Sequence, residues 1–142
     1  MAVPTATGAP EYRKSRVVDA SVAAAVVFGD VATELNALDF DNRAFVAPSI
    51  IRYEFLHICT KKQRAGAISA EGAIEAWRLF ESLEISTEYV SFPETLAAAI
   101  RYRLSGYDAA YLWLAISQQL VLVTLDQQLE KAWRKAVNEL TL

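Results

Sequence analysis

Short β-branched runs alternate along this chain with longer stretches in which apolar positions recur every three or four residues. "RVVDAS", residues 16–21, is the first such run, and it hands over at Asp19 to a small, apolar, alanine-rich stretch compatible with a helix. Ile51, Phe55, Leu56 and Ile58 share helical spacing. With Pro48 and Ser49 as a start and Gly66 as a stop, they predict a helix over about Ser49 to Gln63. "AEGAIEAWRLFESL", residues 70–83, places Ile74, Trp77, Leu79, Phe80 and Leu83 largely on one side of a second helix, and "EISTEYVSF", residues 84–92, follows as a strand. Pro93 opens a further helix through about Leu104. After a break at Gly106 a helix resumes that is apolar nearly all round, which implies burial on more than one face. "LVLVTLD", residues 120–126, reads as a strand, "QQLEKAWRKAV", residues 127–137, as a last helix, and "ELTL", residues 139–142, as a short final strand.

Strands that alternate with helices and are apolar on both faces predict an α/β fold with a parallel sheet covered on two sides. In such sheets ligands gather beyond the carboxyl ends of the strands, and Asp19 and Asp126 close two of the predicted strands.

A length of 142 residues, 54% of them hydrophobic, suits one domain with a full core. Residues 1–15, with two prolines, a glycine and no apolar periodicity, read as a flexible tail, and residues 16–142 as the domain. The net charge of −3 excludes a strongly basic nucleic-acid binder, although cations held by a carboxylate cluster would change the surface a polyanion meets. A single cysteine, Cys59, cannot form an internal disulfide, and no leader sequence is evident, so the cytoplasm is the expected location. The apolar run Ala109 to Ala115 falls short of the ~18 residues of a membrane span.

Glu54 and Asp108 stand in apolar surroundings, where an ionised carboxylate must be paired or coordinated. Lys and Arg are scarce around Asp19, Asp108 and Asp126, so a hard divalent cation such as Mg²⁺ or Mn²⁺ is a credible counter-charge. The alternatives are simple: Asp19, Asp108 and Asp126 as helix N-caps, and Glu54 as a partner of Arg52 or Lys61. His57, three residues after Glu54, reads as a core or interface residue, and Cys59 as packing. Trp77, Trp113 and Trp133 read as core or partner surface.

Taken together, "VVDAS", "PSIIRYEFLHI", "SGYDAAYLWLA" and "VTLDQQL" resemble, in order and spacing, the PIN-domain family, and most closely the VapC-type toxins of prokaryotic toxin–antitoxin pairs. The resemblance runs over nearly all of residues 16–142. It implies a three-layer α/β/α sandwich around a parallel sheet, and a metal-dependent endoribonuclease toxin of a type II toxin–antitoxin system. Its catalytic, metal-holding acids map onto Asp19, Glu54, Asp108 and Asp126, with Ser21 and Thr124 as supporting hydroxyls. The implied cofactor is one or two Mg²⁺ or Mn²⁺ ions. The implied partners are an RNA substrate such as tRNA or another structured RNA, a cognate VapB-type antitoxin, and a second copy of the chain. Some relatives carry a further acid just after the last aspartate; Gln127 and Gln128 stand here, which leaves a second metal site open.

Phosphate contacts would come from the rim, with Lys61, Lys62 and Arg64 of "TKKQR" as first candidates and Arg13, Lys14, Arg16, Arg101 and Arg103 behind them. Cations at a helix C-terminus are also favoured by the macrodipole alone. Two other classes stay open. One is a catalytically silent PIN-fold module that binds RNA or protein. The other is a Mg²⁺-binding receiver domain, against which stand the absence of an acid beside Asp19 and of a lysine at the Thr124–Asp126 strand end.

Overall fold

Val17 and Val18 are wholly buried because strand β1 (Arg16–Val18) lies between two parallel neighbours. One is β2 (Phe45–Pro48), the other β4 (Val121–Val123), and β3 (Ser86–Glu88) adds on beyond β2, giving the order β3-β2-β1-β4. The computed structural model describes residues 15–29 and 44–140. Buried on both faces, the inner strands read as unbroken apolar runs rather than alternating ones.

Helices α1 (Ala20–Phe28), α2 (Ile50–Arg64) and α3 (Ala70–Ser82) pack on one another. Helices α4 (Phe92–Tyr102), α5 (Gly106–Gln118) and α6 (Gln127–Leu140) form a second group, so the parallel sheet is flanked by helices in an α/β/α sandwich. On α2 the core side is Ile51, Phe55 and Cys59, one residue per turn. Phe55 stacks on Phe80 of α3 at 4.3 Å between ring centroids, so truncating it to alanine would cost ~3–5 kcal/mol. Helix α5 is buried on several sides, as its composition predicts, and touches β1, β2, β4, α4 and α6. Gly66, at φ +77°, lies just past α2, where the left-handed conformation that ends a helix costs glycine nothing.

The structure departs from the sequence reading in several places. Glu139 and Leu140 continue α6 instead of starting a strand, and the rest of "ELTL" lies outside the described residues, as does the expected tail apart from Ser15. Leu56, Ile74 and Leu79 point to solvent, because Ala76 and Phe80 set the buried side of α3 and Phe55 that of α2. The third strand is only Ser86–Glu88, since Ser91 already caps α4 by accepting the Glu94 N–H. Strand β4 ends at Val123, so Asp126 stands in the turn beyond it. No helix among the described residues is long and apolar enough to cross a membrane.

Candidate active site

The chain leaves β1 at Val18 and turns into α1 at Asp19, whose extended backbone (φ −102°, ψ 177°) lets Oδ1 accept the Val22 N–H at 3.1 Å. Capping uses only part of this carboxylate. The Ser21 hydroxyl donates to the same Oδ1 at 2.6 Å, and the Thr124 hydroxyl donates to Oδ2. Thr124 Oγ1 in turn accepts the Asp126 N–H at 3.0 Å, and Ser21 Oγ accepts the Leu125 N–H at 3.2 Å. Two hydroxyls therefore clamp the turn after β4 onto the start of α1.

Asp126 caps α6, its Oδ1 accepting the Leu129 N–H at 3.0 Å. Asp108 does not cap α5. Ser105 does, with an extended backbone and its hydroxyl accepting the Asp108 N–H at 3.1 Å, so the Asp108 carboxylate is not used for capping. Glu54 comes from the second turn of α2, and its Oε1 accepts the Tyr111 hydroxyl at 2.5 Å. None of the ion pairs among the described residues involves Glu54, and Arg52 instead lies over the Trp77 ring at 5.4 Å.

These acids come from the end of β1, the turn after β4, α2 and α5; Asp19 and Asp108 feel the charge of Asp126, and Glu54 feels those of Asp108 and Asp19. Burial holds Asp19 above the usual carboxylate range, with Asp126 adding to the rise and the bonds from Ser21, Thr124 and Val22 opposing it. Glu54 is raised by burial and then by the charges of Asp108 and Asp19, against the pull of the Tyr111 bond. Asp108 is raised by burial and then by Asp126 and Asp19, against the pull of a bond from the Ser105 hydroxyl. Burial and like charge together favour the protonated forms of these three acids.

Among the described residues, no three His, Cys, Asp or Glu side chains converge tightly enough to enclose an ion by themselves. Mg²⁺ keeps several waters and is held through one or two carboxylates. The donor set is also all oxygen. Asp19 Oδ2 and Glu54 Oε1 each receive one hydroxyl, which leaves lone pairs for a hydrated cation.

Tyr111 is the participant that sequence reading missed. It lies three residues after Asp108, on the same side of α5, and that spacing was the available signal. Burial, and then the Glu54 carboxylate, push its phenol far above the ordinary range, so it is a fixed donor. Of the two readings of His57, core or interface, the core one is overturned: it is exposed, because it lies off the Ile51–Phe55–Cys59 side of α2. It lines a groove of about 370 Å³ together with Ala20, Tyr53, Glu54 and Tyr107. Cys59 is buried, and burial pushes its thiol up.

The basic residues stand apart from the acids. Lys61, Lys62 and Arg64 occupy the last turn of α2, ~10–15 Å along the axis from Glu54, with Lys62 Nζ over the Phe28 ring at 4.7 Å. Arg101 pairs with Glu139 at 3.0 Å, and the Arg103 carbonyl accepts from Gln128. Arg16 lies on β1, and Arg13 and Lys14 fall outside the described residues.

Comparison with known proteins agrees with this architecture. A crystal structure of PAE2754 from Pyrobaculum aerophilum superimposes with a TM-score of 0.70 at 22% identity, over 89% of this chain and 95% of that one, and so shares the fold. Comparison with curated proteins finds no match. The PIN domain family matches residues 16–135, a span that includes all four acids, and the chain belongs to that family.

Proposed function

We propose that this PIN domain is a metal-dependent endoribonuclease, and that it acts in the cytoplasm as the toxin of a type II toxin–antitoxin pair of the VapBC kind. PIN domains are typically metal-dependent nucleases that act on RNA, usually with divalent metals such as Mg²⁺. The observation that carries the reading to this chain is the nearness of Asp19, Glu54, Asp108 and Asp126, brought together from separate elements, with burial and then neighbouring acid charges raising the proton affinity of Asp19, Glu54 and Asp108. Part-buried acids that also repel one another are costly to assemble for a structural purpose alone.

Asp19 and Asp126 are assigned as direct ligands of Mg²⁺ or Mn²⁺, since each is fixed beyond a strand, Asp19 directly after β1 and Asp126 in the turn after β4, by capping and by Thr124. Glu54 and Asp108 would bind directly or through water. A divalent ion bound there supplies an activated water and stabilises charge on the phosphoryl and leaving oxygens. The protein's own part is positional. Ser21 and Thr124 hold the Asp19 carboxylate in one orientation, and Tyr111 does the same for Glu54. Gln127 and Gln128, exposed at the start of α6, bring no further charge, which favours one ion over two.

Lys61, Lys62 and Arg64 would meet backbone phosphates away from the cut. The partners proposed are a VapB-type antitoxin and a second copy of the chain, for which the exposed Leu96 and Ile100 on α4 offer apolar area.

The test is incubation of cellular RNA with the purified chain in Mg²⁺, in Mn²⁺ and in EDTA, and again after addition of the product of an adjacent small gene. Discrete cuts that need metal and cease with the added protein support the proposal. RNA left intact under all metal conditions would defeat it.

A further inference from the structure

The strongly exposed aromatic side chains of the described residues are Tyr53 (70% exposed), Tyr89 (93%), Phe92 (78%) and Tyr107 (61%), and all four line a single pocket. Exposed rings are expensive surface, and their concentration at one place marks a binding site rather than scatter. The pocket, about 340 Å³ and at the small end of ligand sites, lies beyond the carboxyl ends of β2 and β3, between α2, α4 and α5. Its wall holds Thr95, which is 6% exposed and whose Oγ1 is buried with no hydrogen-bond partner. A buried hydroxyl is seldom left unpaired unless something else completes it.

No lysine or arginine lines this pocket, so it offers nothing to a phosphate. Glu88 is its one carboxylate, and that group already accepts from Gln118 Nε2 at 2.5 Å. The combination of aromatic faces, one free hydroxyl and no cation suits a flat, neutral heteroaromatic group. Tyr53 and Tyr107 also line the neighbouring groove beside Glu54, and they directly precede Glu54 and Asp108 in the chain. The pocket therefore adjoins the acid cluster.

We propose that this pocket receives one unpaired base of the RNA, stacked on the exposed rings with the Thr95 hydroxyl bonded to the base edge. It thereby selects the nucleotide next to the one cut. Single-stranded RNA is read in this way, by aromatic stacking and hydrogen bonds to splayed bases. The proposal rests on the endoribonuclease reading for the position of the cut, but its binding chemistry can be tested apart from it.

The experiment measures the affinity of the full chain for short labelled oligoribonucleotides of A, C, G or U, in EDTA so that nothing is cleaved. Wild type is compared with Tyr89→Ala, Thr95→Val and Thr95→Ser, each checked for unchanged thermal unfolding. Wild type is expected to prefer one base. Tyr89→Ala should lose roughly 5- to 150-fold in affinity, the size of one base–aromatic stack. Thr95→Val should narrow the spread between bases, and Thr95→Ser should restore it.

Equal affinity for all four oligomers, or affinities unmoved by Tyr89→Ala and Thr95→Val, would overturn the proposal. So would a Tyr89→Ala chain that keeps its RNA affinity while releasing a co-expressed protein partner, which would make the pocket a protein-docking site. The two readings fail separately. Base preference without any cutting in Mg²⁺ or Mn²⁺ would sink the nuclease and keep the pocket, while cutting at unchanged sites by Tyr89→Ala would do the reverse.

Discussion

Thr124 donates its hydroxyl proton to Asp19 across 105 positions of sequence, and the same oxygen receives the backbone N–H of Asp126. One small side chain thus ties together the acids that follow two adjacent parallel strands, β1 and β4. Thr124→Val keeps the shape and removes both bonds. A hydrogen bond to a charged group is worth ~1.5–3 kcal/mol, so denaturant unfolding at neutral pH should show a loss of about that size, with Thr124→Ser recovering most of it. Unchanged stability in Thr124→Val would show that the clamp contributes nothing.

Tyr111→Phe keeps a ring in a fully buried position but withdraws the phenol from Glu54. The fold should survive. Groups that orient metal ligands typically account for ~10–100-fold in metal affinity, and titration with Mn²⁺ followed by calorimetry should report a drop in that range. Affinity equal to wild type would remove Tyr111 from the site.

Much of this was legible in the sequence, for identifiable reasons. A parallel strand buried on both faces leaves an unbroken apolar run, so the polar residue that ends it stands out, as Asp19 does after Val17 and Val18. Tyr111 was hidden by the opposite effect, because an aromatic inside "AAYLWLA" looks like core, and its partner Glu54 is 57 residues away. Local periodicity also misled. Ile74 and Leu79 lie at helical spacing with the true core residues, yet only the placement of α3 against α1 and α2 decides which of them are covered. Gathering Tyr53, Tyr89, Phe92 and Tyr107 around one pocket likewise needs α2, α4 and α5 in their final positions.

Burial of the acids, reinforced by their mutual repulsion, predicts an uncommon pH dependence. Asp19, Glu54 and Asp108 have folded pKa values raised above their ordinary 3.8, 4.5 and 3.8. A raised acid binds more protons folded than unfolded, so its contribution to stability is fully present below the ordinary value and is lost as pH rises through the raised one. Asp108→Asn removes one such group. In EDTA, the melting temperature of this variant relative to wild type should therefore climb as pH moves from acid toward neutral. Saturating Mg²⁺ should shrink the difference or reverse its sign, because wild type then gains more from the bound ion. A difference independent of both pH and Mg²⁺ would mean that Asp108 is not coupled to the other acids.

The most direct measurement compares wild type with Asp19→Asn and Asp126→Asn, all shown to be folded, for cleavage of RNA in Mg²⁺. Each substitution removes a carboxylate charge while keeping an oxygen that can accept the capping N–H. The prediction is discrete cutting by wild type that both variants lose, at least ~100-fold in rate for a site built around a metal-held water. Cutting that persists undiminished in either folded variant would contradict the assignment of these strand-end acids as the catalytic centre.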